Sequence, residues 1–229
     1  MSLAEELVEE LDCKTVFEFN LGSYPVEIKE SIVVTWIITA VLILGAFLLT
    51  RGFKVHNIGK RQAFMEFVVT KLTGIVEGMV GEEGKAFVPY LTTVLIYIGF
   101  ANIIGIFGFK SPTKDLNVTV SLALMSIVLV QGAGIYYRGV GKWLSGFKNP
   151  INILDLFTRP LSLCMRLFGN VLGAFVIMKL IELGLDGIFH GFHLLIPAVF
   201  SLYFDLFDGL LQAYVFVFLT SLYIKEAIE

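Results

Sequence analysis

The chain has 229 residues, 56% of them hydrophobic and 16% charged, with a formal net charge of −3. Soluble domains carry about 25% charged residues, so this composition points away from a soluble fold. The negative charge argues against nucleic acid as a partner, and a mean hydropathy of +0.82 suits a protein that crosses a membrane several times.

The chain opens with Glu5, Glu6, Glu9, Glu10 and Asp12. A secretory signal needs a basic start before its apolar core, so this stretch does not read as one. Leu3, Leu7, Val8 and Leu11 instead predict a short acidic amphipathic helix over 3–11. The two cysteines, Cys13 and Cys164, lie before the first span and within a late one, and make no disulfide framework. Residues 15–29 read as strand-like or irregular.

Ser31–Thr50 is free of charge and, as a helix of about 30 Å, long enough to cross a bilayer. Arg51, Lys54, Lys60 and Arg61 follow it. Over 62–80, Phe64, Phe67, Val68, Leu72, Ile75, Val76, Met79 and Val80 recur at helical spacing. Glu66, Thr70, Lys71, Thr73 and Glu77 take the opposite face, which predicts an interfacial helix ended by Gly81 and Gly84. Phe87–Phe109 is the second span, 110–117 a turn, and Val118–Tyr137 the third span. Residues 138–150, with Arg138, Lys142 and Lys148, read as a basic loop.

Residues 151–184 are largely apolar, roughly 51 Å of helix against a hydrocarbon core of about 30 Å. Such a helix tilts steeply or breaks. Pro160 marks the place for a break, and one continuous helix is the preferred reading. Residues 188–225 have the same excess length, and a turn near Gly184–Gly187 would join the two. The expected fold is therefore an all-α membrane protein with about five membrane-crossing helices. The last two form a long, strongly tilted hairpin, and one interfacial amphipathic helix is added. One membrane domain over 1–229 is expected: an extracytoplasmic segment 1–30, three spans with the interfacial helix over 31–150, and an ion-translocating hairpin over 151–229.

Lysine and arginine set the orientation. Segment 51–85 carries Arg51, Lys54, Lys60, Arg61, Lys71 and Lys85, and 138–150 carries three more. The first 30 residues hold Lys14 and Lys29 against eight acids. Segments 51–85 and 138–150 are thus expected in the cytoplasm, with the N-terminus outside and the C-terminus inside. No internal repeat or low-complexity segment is visible.

Arg166 lies in the middle of an apolar helix. A guanidinium does not lose its proton at physiological pH, and insertion scales charge about 2.5–3.5 kcal/mol for placing it at the bilayer centre. An ion path or a carboxylate-binding position is the default reading. Asn170 follows one turn later on the same face, and Arg159 lies two turns earlier. Asp205, Asp208 and Gln212 share one face of the last helix; the bland reading makes them a mutually satisfied buried network. Arg159, Ser162, Glu182 and His190 are further candidates for lining a channel. Lys179 and Glu182 also read as a snorkelling surface pair. His190 and His193 have metal-ligand spacing but no third ligand near in sequence, so no metal or cofactor is expected. Gly169 and Gly173 suit close helix approach. No phosphate loop, nucleophile elbow or zinc cluster is present, so the chain shows no equipment for covalent catalysis of its own.

The run from Arg159 to Asn170, Arg-Pro-Leu-Ser-Leu-Cys-Met-Arg-Leu-Phe-Gly-Asn, resembles the signature of subunit a of F-type ATP synthases. The turn Ser111-Pro-Thr-Lys-Asp-Leu-Asn117 and the stretch Leu211-Gln212-Ala-Tyr-Val-Phe216 resemble the same family, in family order. The resemblance implies a stator subunit of the membrane motor, packed against a rotating ring of c subunits that each bear one carboxylate. Peripheral-stalk b subunits and membrane lipid are further implied partners. Arg166 would be the essential arginine that expels the bound ion and blocks a direct shortcut between two half-channels. Asn170 and Gln212 would orient it or line a channel, and Asp205 and Asp208 would line the outer access path. Phe175 departs from the acidic or polar residue that many proton-driven relatives carry there, which leaves both H+ and Na+ open as the coupling ion. A coupling membrane, taken as the plasma membrane of a bacterium, is the expected location. Two other readings stand beside this one. A self-contained secondary transporter could use Arg166 to bind an anionic substrate, but transporters commonly show repeated halves. A purely structural scaffold would not need Arg166, Asp205 and Asp208 inside the membrane.

Overall fold

The computed structural model describes residues 15–21, 24–54, 59–107, 109, 111–147, 149–186 and 199–228. The helix expected over 3–11, the turn at Gly187 and both His190 and His193 lie outside the described residues. The chain is mostly helical, and among the described residues five helices are long and apolar enough to cross a membrane.

Among the described residues, 15–21 and 24–29 form a two-stranded sheet. β1 (Thr15–Leu21) pairs antiparallel with β2 (Tyr24–Lys29), with Phe17 opposite Ile28 and Phe19 opposite Val26. Alternating β-branched and aromatic residues favour this over helix. α1 (Glu30–Thr50) follows directly, with only Ser31, Val34 and Ile38 buried. Its Trp36, Ile43 and Phe47 are exposed, as expected of a helix wetted by lipid rather than water.

α2 (Lys60–Val80) is not among the helices apolar enough to span. Its second half is covered, with Val76 and Val80 buried, whereas Phe64 and Phe67 stand exposed. The amphipathic pattern therefore buries only its C-terminal end within this chain. A 3₁₀ turn (Lys85–Phe87) leads to α3 (Val88–Ile103), a second 3₁₀ turn (Ile104–Phe107) and a third (Pro112–Lys114). α4 (Leu116–Arg138) is N-capped by Asp115, whose Oδ1 accepts from the Asn117 backbone N–H at 2.9 Å.

The stretch expected to be a loop after α4 contains a short helix, α5 (Val140–Gly146). Gly139, at φ 79°, makes the sharp change of direction between them. Seven residues are too few to reveal a helical period, which is why the sequence reads as loop. α6 (Pro150–Asp186) runs unbroken for 37 residues, about 55 Å, with Pro160 inside it. Neighbouring helices and side chains make an internal proline tolerable in membrane helices. The last helix begins at 199, passes through a π-helical segment (Leu202–Asp208) and continues as α7 (Gly209–Ile228).

α7 packs against α3, α4 and α2, while α6 lies mainly on α4 and meets α7 less extensively. One cluster ties these helices together through Leu91, Ile98, Val130, Leu167, Phe216 and Ile224. Lipid is as apolar as leucine, so close packing rather than exclusion of water holds such helices together. Hydroxyls along the spans bond back to their own helix, as Thr35 to the Ser31 carbonyl at 2.9 Å and Thr220 to the Phe216 carbonyl at 2.8 Å. Gly209 comes very close to α3, where a Cβ would sit 2.8 Å from the Asn102 Cβ. Gly209→Ala is expected to destabilise the assembly by about 1–3 kcal/mol, the usual effect of overpacking. Gly132→Ala, with open space around it, is expected to be neutral. The thermal inactivation midpoint of the purified complex distinguishes the two variants.

Candidate functional site: a charged face and a polar column

α6 buries Leu163, Cys164 and Leu167 against the rest of the chain. Cys164 is a free thiol with its Sγ 3.5 Å from Thr119 Oγ1 of α4. The opposite face carries Ser162, Arg166 and Gly169, all exposed. These positions recur at helical spacing, so they form one outward stripe. A Cβ on Gly169 or Gly173 would meet nothing within 4 Å, so the stripe is unobstructed. Among the described residues Arg166 makes no hydrogen bond or ion pair. Asn170 is half-buried one turn further on. Glu182 belongs to α6, and its side chain lies outside the described residues.

Arg159 is placed very differently. Its Nη2 lies 3.1 Å from Asp155 Oδ2 and 2.8 Å from Glu226 Oε1. The guanidinium also covers the Tyr223 ring at 5.0 Å. It thereby binds α6 to α7. A cavity of about 130 Å³ sits here, lined by Arg138, Trp143, Asp155, Arg159 and Glu226 among others. Arg138 donates from Nη2 to the Glu226 carbonyl at 2.9 Å, and Trp143 Nε1 donates to Gln131 Oε1 at 2.9 Å. The C-terminal ends of α4 and α7 and the N-terminal part of α6 thus meet in one charged cluster.

The acidic residues of the last helix lie along the other part of the molecule. Asp205 is half-buried and accepts from Ser201 Oγ at 2.7 Å. Gly105 leaves room for that carboxylate, since a Cβ there would come within 3.2 Å of its Cγ. Asp208 is half-buried and, among the described residues, has no hydrogen-bond partner. Gln212 is 5% exposed, and its Nε2 is buried without a partner. Such orphaned buried donors are rare and call for an explanation. Asp205 and Asp208 fall within the π-helical segment, while Gln212 follows it. The wider π turn changes their angular relation, so the simple α-helical spacing expected for the three does not hold.

Beside them runs a polar column that sequence reading did not single out as a site. Asn102 Nδ2 donates to the Gly209 carbonyl at 2.9 Å, and its Oδ1 accepts from Thr113 Oγ1 at 2.8 Å. Ser111 Oγ lies 2.7 Å from Thr113 Oγ1 and donates to the Ala101 carbonyl at 2.7 Å. Ser31 Oγ donates to Asp115 Oδ2. Asn102, Thr113 and Asp115 are all buried. The density of short polar side chains between Ser111 and Asn117 was the available signal, and only the fold reveals their partners. Among the described residues no group of three His, Cys, Asp or Glu side chains is disposed to hold a metal.

The model of the ATP synthase A chain family matches residues 32–225. The chain belongs to that family. It is 35% identical over 208 residues to ATP synthase subunit a of Desulforamulus reducens, covering 86% of this chain and 78% of the relative. It is 33% identical to ATP synthase subunit a 2 of a Bradyrhizobium species, covering 92% of each. Subunit a of Moorella thermoacetica is also 33% identical, over 92% of this chain and 95% of its own length. Membership identifies a multi-pass membrane protein, the Fo stator subunit of an ATP synthase.

The Asn102 amide joins α3, the Pro112–Lys114 turn and α7 through two hydrogen bonds. Asn102→Ala removes both and leaves the Thr113 hydroxyl only its contact with Ser111, so a loss of about 1–3 kcal/mol is expected. A fall in the thermal midpoint of the assembled complex, with the amount of other subunits unchanged, is the measurement that checks it.

Proposed function

We propose that this subunit carries ions to and from a rotating ring of c subunits, and that Arg166 is the group that couples their flow to rotation. The observation that carries this reading is an exposed arginine in mid-helix, without a partner among the described residues, on an open stripe of small residues. A permanent charge facing outward from an apolar span needs a counter-charge from a partner. A ring carboxylate is the fitting partner: two unit charges at 4 Å attract by about 4 kcal/mol at an effective dielectric of 20. That attraction loosens the ion held by the carboxylate. The same charge repels a cation crossing directly from one access path to the other.

Two access paths follow from the remaining polar groups. Asp205, Asp208 and the orphaned Gln212 amide support an outer path, bordered by the Ser111–Asn117 column. Ser162, Asn170 and the cavity beside Arg159 support the path on the other side of Arg166. The long helices α6 and the one ending in α7 act as a tilted translocating hairpin over 151–229 within a single membrane domain. Clustering of Arg138, Arg159 and Glu226 supports a common, cytoplasmic side for these ends, with the N-terminus outside. An open groove of about 600 Å³, bordered by Thr35, Tyr97 and Ser121, leaves room for a stalk b-subunit helix or lipid. The plasma membrane of a bacterium is the proposed location.

The first experiment is ATP-driven ²²Na⁺ uptake by the reconstituted complex, with and without a protonophore. Uptake that persists or rises identifies sodium as the coupling ion. Vesicle acidification without uptake identifies the proton and makes Asp205 the leading relay carboxylate despite Phe175. Arg166→Ala is expected to abolish ATP-driven transport by either ion while the complex still assembles. Normal pumping in that variant refutes the role given to Arg166.

A further inference from the structure

Lys114 poses a problem that transport by Arg166 does not answer. An ammonium is a compact, strongly hydrated charge, yet Lys114 is only 9% exposed. Its Nζ lies 3.6 Å from the centroid of the Phe175 ring on α6. Cation–π contacts of this kind strengthen to about 2 kcal/mol or more when desolvated. Phe175 is also the position where the family resemblance leads one to expect an acidic or polar side chain. The buried ammonium and the departing ring meet in space.

The turn that carries Lys114 cannot slide. Thr113 is bonded to Asn102 of α3, and Asp115 accepts from Ser31 of α1 and caps α4. The ammonium is therefore rooted in three helices at once. α6 is held in its middle by the apolar packing of Leu163 and Leu167, which has little directionality, and by the weak contact of Cys164 with Thr119. Directional contacts lie on either side. Arg159, seven residues before Arg166 and about 10 Å along the axis, is paired to Glu226 and covers Tyr223. Phe175, nine residues after Arg166 and about 13 Å along, lies under Lys114. Arg166 sits between two clamps, and each fixes both height and rotation of the helix.

Resting on the reading of Arg166 as the coupling group, we propose that Lys114 and Phe175 are a positioning pair that sets the height and rotation at which α6 presents that arginine. An acid at 175 would meet the same ammonium as an ion pair. Phe175 meets that ammonium with its ring and carries no titrating group, so it holds the helix rather than relaying ions.

The test uses the whole complex in vesicles and reads ions transported per ATP hydrolysed, normalised to assembled enzyme. Lys114→Gln and Phe175→Leu are each expected to lower this ratio about threefold to tenfold, the range of single-residue effects on coupling. The double variant is expected to be no worse than Lys114→Gln, because both changes remove the shared ammonium–ring contact. Lys114→Arg and Phe175→Tyr keep a cation over a ring and are expected to retain the ratio. If the singles add in the double variant, or Lys114→Arg fails as badly as Lys114→Gln, the pair is overturned. Should Lys114→Gln not assemble, Phe175→Leu against Phe175→Tyr carries the same comparison. Arg166→Ala is run alongside. Normal pumping there refutes the underlying reading, whereas its loss together with unchanged Lys114→Gln and Phe175→Leu refutes the positioning pair alone.

Discussion

A guanidinium that cannot give up its proton, fixed on the outer face of an apolar helix, sets the terms for the rest of this subunit. Insertion scales put its penalty at the bilayer centre near 2.5–3.5 kcal/mol. Nothing among the described side chains offsets that penalty for Arg166. The chain treats other intramembrane polar groups in the opposite way. Asn102, Thr113 and Asp115 point inward and are answered within the fold by Gly209, Asn102 and Ser31. Those inward groups are paired within the fold, whereas the outward charge of Arg166 has no partner among the described residues.

The interior satisfaction has a mechanical role. In lipid, helices gain little by hiding apolar surface from one another. Shape and polar contacts must fix their register instead. Gly209 lets α7 approach α3 closely enough for its carbonyl to receive the Asn102 amide. Arg159 ties α6 to α7 at one end, and Lys114 meets it at the other. The face bearing Arg166 is thus carried by a frame whose joints are polar and lie away from that face.

Much of this was legible in the sequence where a single physical signal dominates. The charge-free run Ser31–Thr50 became α1 within one residue, because hydropathy alone decides a span. Arg166 stood out for its cost, and the family motif around it added the implied role. Periodicity gave Arg166 a face but could not say that no neighbour covers it. The 138–150 stretch hid a helix too short to show a period. The π-helical segment at Leu202–Asp208 escaped because spacing arguments assume 3.6 residues per turn, and it altered the relation of Asp205 to Gln212. The contact of Lys114 with Phe175 joins a turn to a distant helix, and no local pattern reports it. The strand-like reading of 15–29 was right in kind, with the pairing visible only in the fold.

Pro160 lies inside α6 without ending it. Having no backbone N–H, it deprives the Leu156 carbonyl of the donor an α-helical turn would supply. Leu156 lines the cavity that also holds Arg159 and Glu226. One turn of the long helix therefore offers a standing acceptor to water at the level where charged side chains already gather. The acceptor belongs to the backbone, so a side-chain substitution at Leu156 would leave it in place.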